Sequence, residues 1–319
     1  MKFRTTLFVY IVALCTVISC TYNKGTTIEK ETFLYSVKGA DSLYLDKYVS
    51  SDMSNPGACI IFLFGGGFIG GERDTKDYIP CFNTLAESGY TVVSIDYRLG
   101  LKNVPKESLA TPEQLISQLK YTIDLAVEDL YDATNYVLSR TDWNIDMSRV
   151  IISGSSSGAV SVLQAEYEII NKSTLTQILP DGFNYAGVIS FAGAILSLNG
   201  DLMYSDKTCP MMLFHGNADS NVPYDKIEMG DIGLYGSKHI AYKLKENSRP
   251  YCFYSINNAA HEIANTPMNE NINEIKNFLD RFVLQKQSLF IDSTIEQIGK
   301  PELRKDFEFN DYIVTNYGN

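Results

Sequence analysis

A serine becomes a nucleophile only where a neighbouring base removes its proton, and that base is most often a histidine. The chain holds three histidines in 319 residues, so the pairings open to any serine are few. One serine has the right frame. Gly154-Ser155-Ser156-Ser157-Gly158 follows the apolar run 150–153 and leads into a helical run from Ala159. This G-x-S-x-G spacing between strand and helix permits a sharp turn that lifts the Ser156 hydroxyl above the sheet edge, beside helix-starting N–H groups that favour an oxyanion. His261 lies five residues beyond the apolar run 251–256, on a loop at the carboxyl side of a strand, and is the best base. His215 ends the preceding strand; His239 falls inside a helical stretch and reads as a surface residue. An orienting acid belongs between serine and histidine in chain order. Asp219 fits, with Asp206 and Asp225 as fallbacks, and its carboxylate would hold the imidazole tautomer and stabilise the imidazolium.

The charge that develops on a substrate oxygen needs donors. The apolar run 58–64 passes directly into Gly65-Gly66-Gly67-Phe68-Ile69-Gly70-Gly71, where missing side chains let backbone N–H groups come close. Gly66 or Gly67, together with the N–H of Ser157, are the expected oxyanion donors. Gly65-x-Gly67-x-x-Gly70 also has the form of a dinucleotide fingerprint. However, the polar Gly71-Glu72-Arg73-Asp74 that follows lacks helical apolar spacing, which counts against that reading. Asp142-Trp143-Asn144-Ile145-Asp146 begins like a calcium loop, but Met147 replaces its glycine and Ser153 its glutamate. No cluster has metal spacing, and no metal is expected.

The elements that must position these groups alternate. Residues 32–37 and 43–49 flank Lys38-Gly39-Ala40-Asp41 as an antiparallel hairpin. Continuous apolar strands then follow at 58–64, 91–95, 150–153, 187–191, 211–215 and 251–256, with helical stretches at 112–138, 159–170, 237–246 and 270–285. Such a pattern predicts an α/β fold with a mostly parallel central sheet, helices on both faces and the hairpin at one edge. Chemistry in such sheets sits at the carboxyl ends of strands.

The chain is 45% hydrophobic, 20% charged and carries a net charge of −11. That balance excludes disorder and argues against nucleic acid, which needs a basic surface. Lys2 and Arg4 precede a 12-residue apolar stretch, 7–18, too short to span a bilayer, so residues 1–19 read as an export signal. Val17-Ile18-Ser19-Cys20 resembles a bacterial lipobox, which makes Cys20 the expected lipidated residue. The expected location is the bacterial cell envelope, with a membrane tether through that lipid. Cys59, Cys81, Cys209 and Cys252 read as core residues, although a Cys209–Cys252 bridge in an exported protein is open. The folded body is expected at 28–290. Residues 291–319 form an extension in which 306–314 would make a short strand or a docked segment.

Taken together, Phe64-Gly65-Gly66-Gly67-Phe68, Ser94-Ile95-Asp96-Tyr97-Arg98-Leu99, Asn144-Ile145-Asp146-Met147-Ser148-Arg149-Val150, the serine elbow, His215-Gly216-x-x-Asp219 and His261 resemble the α/β-hydrolase superfamily, near its hormone-sensitive-lipase and carboxylesterase-like branch. The resemblance implies ester hydrolysis through an acyl-serine, with no cofactor. Two positions depart from it: Phe64 stands where the family has a histidine, and Ser157 where it has an alanine. About 20 residues separate the strands at 187–191 and 211–215, leaving little room for a cap and implying an open cleft suited to a small-molecule or glycan-borne ester, such as an acetyl or feruloyl ester. A serine peptidase of the same fold, or a non-catalytic glycan-binding scaffold motivated by Phe64, are the alternatives.

Overall fold

Five strands of the main sheet carry no exposed face, and burial explains why. In the computed structural model, which describes residues 27–51, 57–109 and 111–317, β3 (Cys59–Leu63), β4 (Thr91–Ile95), β5 (Val150–Ser155), β6 (Gly187–Phe191) and β8 (Met211–Gly216) are buried at every position. They form the centre of a nine-stranded sheet with helices on both faces, as near-continuous apolar strands require. The hairpin of β1 (Ile28–Lys38) and β2 (Asp41–Ser50) pairs antiparallel and joins β4 antiparallel; every other pairing in the sheet is parallel. The strand order β1-β2-β4-β3-β5-β6-β8 is completed by β11 (Tyr251–Asn257) and β12 (Phe290–Glu296). The chain steps outward from β3 to β4, then returns across β3 to β5. This reversal opens a crevice at the carboxyl ends of β3 and β5, where the glycine run and Ser156 emerge.

Helices α1 (Ile79–Glu87), α2 (Pro112–Ser139), α3 (Ser157–Ile170) and α4 (Ser237–Glu246) follow β3, β4, β5 and the second sheet described below. Thr111 and Gln114 close a capping box at the start of α2, with Pro112 at its first turn. The expected helix 270–285 is broken into α5 (Thr266–Glu270), α6 (Ile272–Phe278) and a π-helical turn, Leu279–Leu284. Asn271 interrupts it, its N–H bonded to the Pro267 carbonyl and its φ at −115°.

Two expectations about the periphery are corrected. The body does not stop at residue 290, because β12 pairs in register with β11 as an edge strand, its side chains alternating between half-buried and exposed. The site is also not an open cleft. A second sheet, β7 (Ala194–Ser197), β10 (Ile232–Gly236) and β9 (Lys226–Met229), stands over the crevice, built mainly from an insertion after β8 rather than before it. Beside it lies α7 (Phe309–Tyr317), so the tail docks as a helix and not as a strand. The proposed signal and Cys20 lie outside the described residues.

Candidate active site

Ser156 sits between β5 and α3 with φ +52° and ψ −118°, a conformation that non-glycine residues adopt only at a cost of about 1–3 kcal/mol. The surroundings hold it there. Its N–H donates to the Phe191 carbonyl at 2.9 Å, and the neighbouring Ser155 hydroxyl donates to Asn265 Oδ1 at 3.1 Å. Both flanking glycines are obligatory: a Cβ on Gly158 would lie 2.2 Å from the Leu63 carbonyl oxygen, and one on Gly154 would lie 2.4 Å from Gly158. Ser157 is the first residue of α3, so its N–H has no partner within the helix and points the positive helix end at the nucleophile.

The three side chains expected to meet do so. His261 Nε2 is 2.8 Å from Ser156 Oγ, and His261 Nδ1 is 2.8 Å from Asp219 Oδ2. A carboxylate can only accept, so Nδ1 carries the proton and Nε2 presents its lone pair to the serine hydroxyl. Asp219 is fully buried, and its other oxygen accepts the N–H groups of Asn221 and Val222 at 2.8 and 3.0 Å. Burial alone would raise its pKa, but hydrogen bonds from His215 and His261 outweigh that and hold the carboxyl well below its usual range.

His215 has a part that the sequence reading did not give it. Weighed there as a rival base, it is fully buried behind the acid, with Nε2 3.3 Å from Asp219 Oδ2 and 3.2 Å from the Val222 carbonyl. Two acceptors on one side fix the proton on Nε2, and Nδ1 accepts from the Ser237 hydroxyl at 2.8 Å. His215 thus fixes the same Asp219 oxygen that His261 bonds; its spacing of four residues from the acid was the available signal. His239 is not a surface residue. It lies on α4 as expected but is 7% exposed, stacked on Tyr235 and bonded to Asp201 at 2.6 Å, away from the serine. Of the fallback acids, Asp225 is paired with Lys238 and Asp206 gives its carbonyl to Arg249, whereas Asp219 contacts His261.

The glycine run is braced without the family's histidine. The Phe64 ring lies 4.6 Å from that of Tyr97, whose hydroxyl donates to the Phe64 carbonyl at 2.8 Å and lies 3.2 Å from Ser157 Oγ. The Gly65 N–H donates to the Tyr78 hydroxyl, and a Cβ on Gly71 would strike the Phe64 ring at 2.5 Å. Gly66 (φ +142°) turns the chain, its carbonyl accepting from Ile69 and Gly70; a Cβ there would lie 2.1 Å from the Gly70 oxygen. Gly67 and Ser157 both front the cavity that contains Ser156. A dinucleotide fingerprint needs its last glycine for close helix packing, yet a Cβ on Gly70 would meet nothing within 4 Å.

Residues 45–195 match the BD-FAE family model. Among solved structures, an esterase from the Planctomycetes species Thermogutta terrifontis, with propionate bound, aligns with a TM-score of 0.58 at 19% identity, covering 83% of this chain and 97% of that one. Thermogutta terrifontis esterase 2 phosphorylated by paraoxon gives 0.56 at 18% identity, covering 79% and 94%. Esterase B from Lactobacillus rhamnosis gives 0.55 at 14%, covering 82% and 88%. The chain has the α/β-hydrolase fold.

In this fold Ser156 opens onto a cavity of about 130 Å³ with an apolar lining. Its walls are Leu115, Ile116, Leu119 and Ile123 of α2, Leu196 of β7, Ile227 and Met229 of β9, Ile232 and Leu234 of β10, and Phe309, Tyr312 and Ile313 of α7. Cys59, Cys81, Cys209 and Cys252 are free and buried, so the bridge left open between Cys209 and Cys252 is not formed. Burial pushes the Cys59, Cys81 and Cys252 thiols up, those of Cys81 and Cys252 to about 12, which makes them inert core residues.

Proposed function

We propose that this α/β-hydrolase is a serine carboxylesterase working through an acyl-serine. As Ser156 Oγ attacks the ester carbonyl, its proton passes to His261 Nε2. The negative carbonyl oxygen of the tetrahedral intermediate is received by the N–H groups of Gly67 and Ser157, with Gly66 holding the turn. Asp219 stabilises the imidazolium and keeps its orientation. His261 then gives the proton to the departing alcohol, which breaks the C–O bond and leaves the acyl group on Ser156. Water, deprotonated by His261, attacks that acyl group; the acid departs and Ser156 regains its proton. The observation that carries this reading is the unbroken row Ser156 Oγ, His261, Asp219, with both links at 2.8 Å. Ser156→Ala is expected to lose p-nitrophenyl acetate turnover and labelling by a fluorophosphonate probe. Retention of either by a folded variant refutes the assignment.

For the substrate we propose acetyl or feruloyl esters in which the acyl group enters the apolar cavity and the alcohol, a glycan hydroxyl among them, stays at its mouth. A hydrolysis screen of feruloylated and acetylated sugars against their free alkyl esters tests this, and activity confined to other acyl groups overturns it. We propose further that the chain is exported and tethered to the envelope through a lipid on Cys20. An intact mass showing an unmodified Cys20 would rule that out.

A further inference from the structure

The tail enters the cavity wall in a way the catalytic row does not require. Residues 298–306 are exposed throughout, so the strap that leads to α7 buries almost nothing, and the helix is held by its own contacts. Along α7, Phe309, Tyr312, Ile313 and Asn316 are half-buried, while Asn310, Val314 and Thr315 are exposed. Spacing of i, i+3, i+4 and i+7 defines one face, and that face lines the cavity containing Ser156, with α2 and the β7-β10-β9 sheet as its other walls. The helix is tied to the loop of the acid. The Tyr312 hydroxyl donates to the Asp219 carbonyl at 3.3 Å, and Asn316 Nδ2 donates to the Asn221 carbonyl at 2.9 Å. At its start, Asp311 accepts from the Glu308 N–H at 2.8 Å and pairs with Arg304 at 2.8 Å. Phe309 and Ile313 are thus partly withdrawn from water by a helix that faces the cavity. Atoms lining a void lack partners on one side, so an apolar group entering it supplies the missing contacts.

Resting on the esterase reading above, we propose that α7 is the specificity wall of the acyl pocket, with Ile313 and Phe309 setting the length of acyl chain accepted. The group recognised is an unbranched or aromatic apolar acyl chain of limited length; the wall offers no charged side chain to a polar one.

The test is the dependence of kcat/KM on acyl length across p-nitrophenyl acetate, butyrate, hexanoate and octanoate, for the full chain, Ile313→Ala, Phe309→Ala and Ile313→Trp. In the unaltered protein kcat/KM should rise by up to about fourfold per methylene while the chain fills the cavity, then fall. Ile313→Trp occupies the space, so the hexanoate-to-acetate ratio should drop by about tenfold or more. Ile313→Ala and Phe309→Ala enlarge it, so the optimum should move to a longer acyl chain. The ratio cancels changes in steps common to both esters, and shifts in opposite directions cannot come from general damage. All ratios matching the unaltered protein would overturn the wall while leaving the esterase reading standing. If the unaltered protein hydrolyses none of the series and resists fluorophosphonate, the esterase reading itself falls, and the wall with it.

Discussion

Replacing Asp219 by asparagine tests the chemistry with almost no change of shape, and the structure dictates how the amide must sit. One carboxylate oxygen accepts two backbone N–H groups, from Asn221 and Val222. Only the amide oxygen can take that place, which puts the NH2 group where Oδ2 now faces His261 Nδ1 at 2.8 Å and His215 Nε2 at 3.3 Å. An amide NH2 cannot accept, so His261 must turn over its tautomer, with Nδ1 receiving the amide hydrogen and Nε2 carrying its own. The nitrogen 2.8 Å from Ser156 Oγ then donates where it should accept, and the serine has no base. The loss of the base and of the charge that stabilises the imidazolium should lower kcat by about 10⁴, close to 5 kcal/mol of barrier. Initial rates on p-nitrophenyl acetate, with fluorophosphonate labelling measured alongside and folding checked by near-ultraviolet circular dichroism, give the answer. A folded Asp219→Asn protein within about tenfold of the unaltered kcat would refute the roles assigned to Asp219 and His261.

Two further outcomes follow from groups outside the catalytic row. Tyr97→Phe removes the donor to the buried Phe64 carbonyl and should cost about 1–3 kcal/mol in urea unfolding. It should also lower kcat on the order of tenfold, less than outright loss of an oxyanion donor, because it loosens the glycine turn rather than deleting it. Glu166 is fully buried on α3; burial, opposed by hydrogen bonds from Cys209 and Asn184, pushes its carboxyl up to about 7. Between about pH 4.5 and 7 the unfolded chain has released this proton and the folded one keeps it, so this group's effect is to lower stability as pH rises through that window. Glu166→Gln should therefore gain about 2 kcal/mol or slightly more relative to the unaltered protein on going from pH 5 to pH 8. A pH-independent difference between the two in denaturant unfolding would show that Glu166 ionises normally.

The parts legible in the sequence were those in which local pattern and global role coincide. The strand at 187–191 is apolar throughout because both of its faces are covered, and Ser237–Glu246 carries its own helical period. Ser156, Asp219 and His261 could be placed because each follows a readable strand, and the rule that chemistry gathers at carboxyl ends did the rest. What escaped had no such signal. The β9–β10 hairpin is short, with Lys226 and Glu228 exposed and glycines at 230, 233 and 236, so it reads as a polar loop. The alternation of β12 is that of an edge strand, which a search for continuous apolar runs passes over. The four-residue face of α7 makes sense only once a cavity stands opposite it. The Phe64–Tyr97 pair could not be inferred at all, because nothing in either residue says which ring it will meet.

Where Gly158 passes the ends of Leu63 and Phe64, main chain touches main chain, with no side chain between them. The offset between the Ser156 hydroxyl and the N–H groups proposed as oxyanion donors is therefore set by atoms common to every residue type. Repacking the interior with other aliphatic side chains would alter how firmly the body holds together long before it altered that offset. Substitutions beneath the sheet should accordingly register first as a lower melting temperature, with turnover per folded molecule almost unmoved until folding itself gives way.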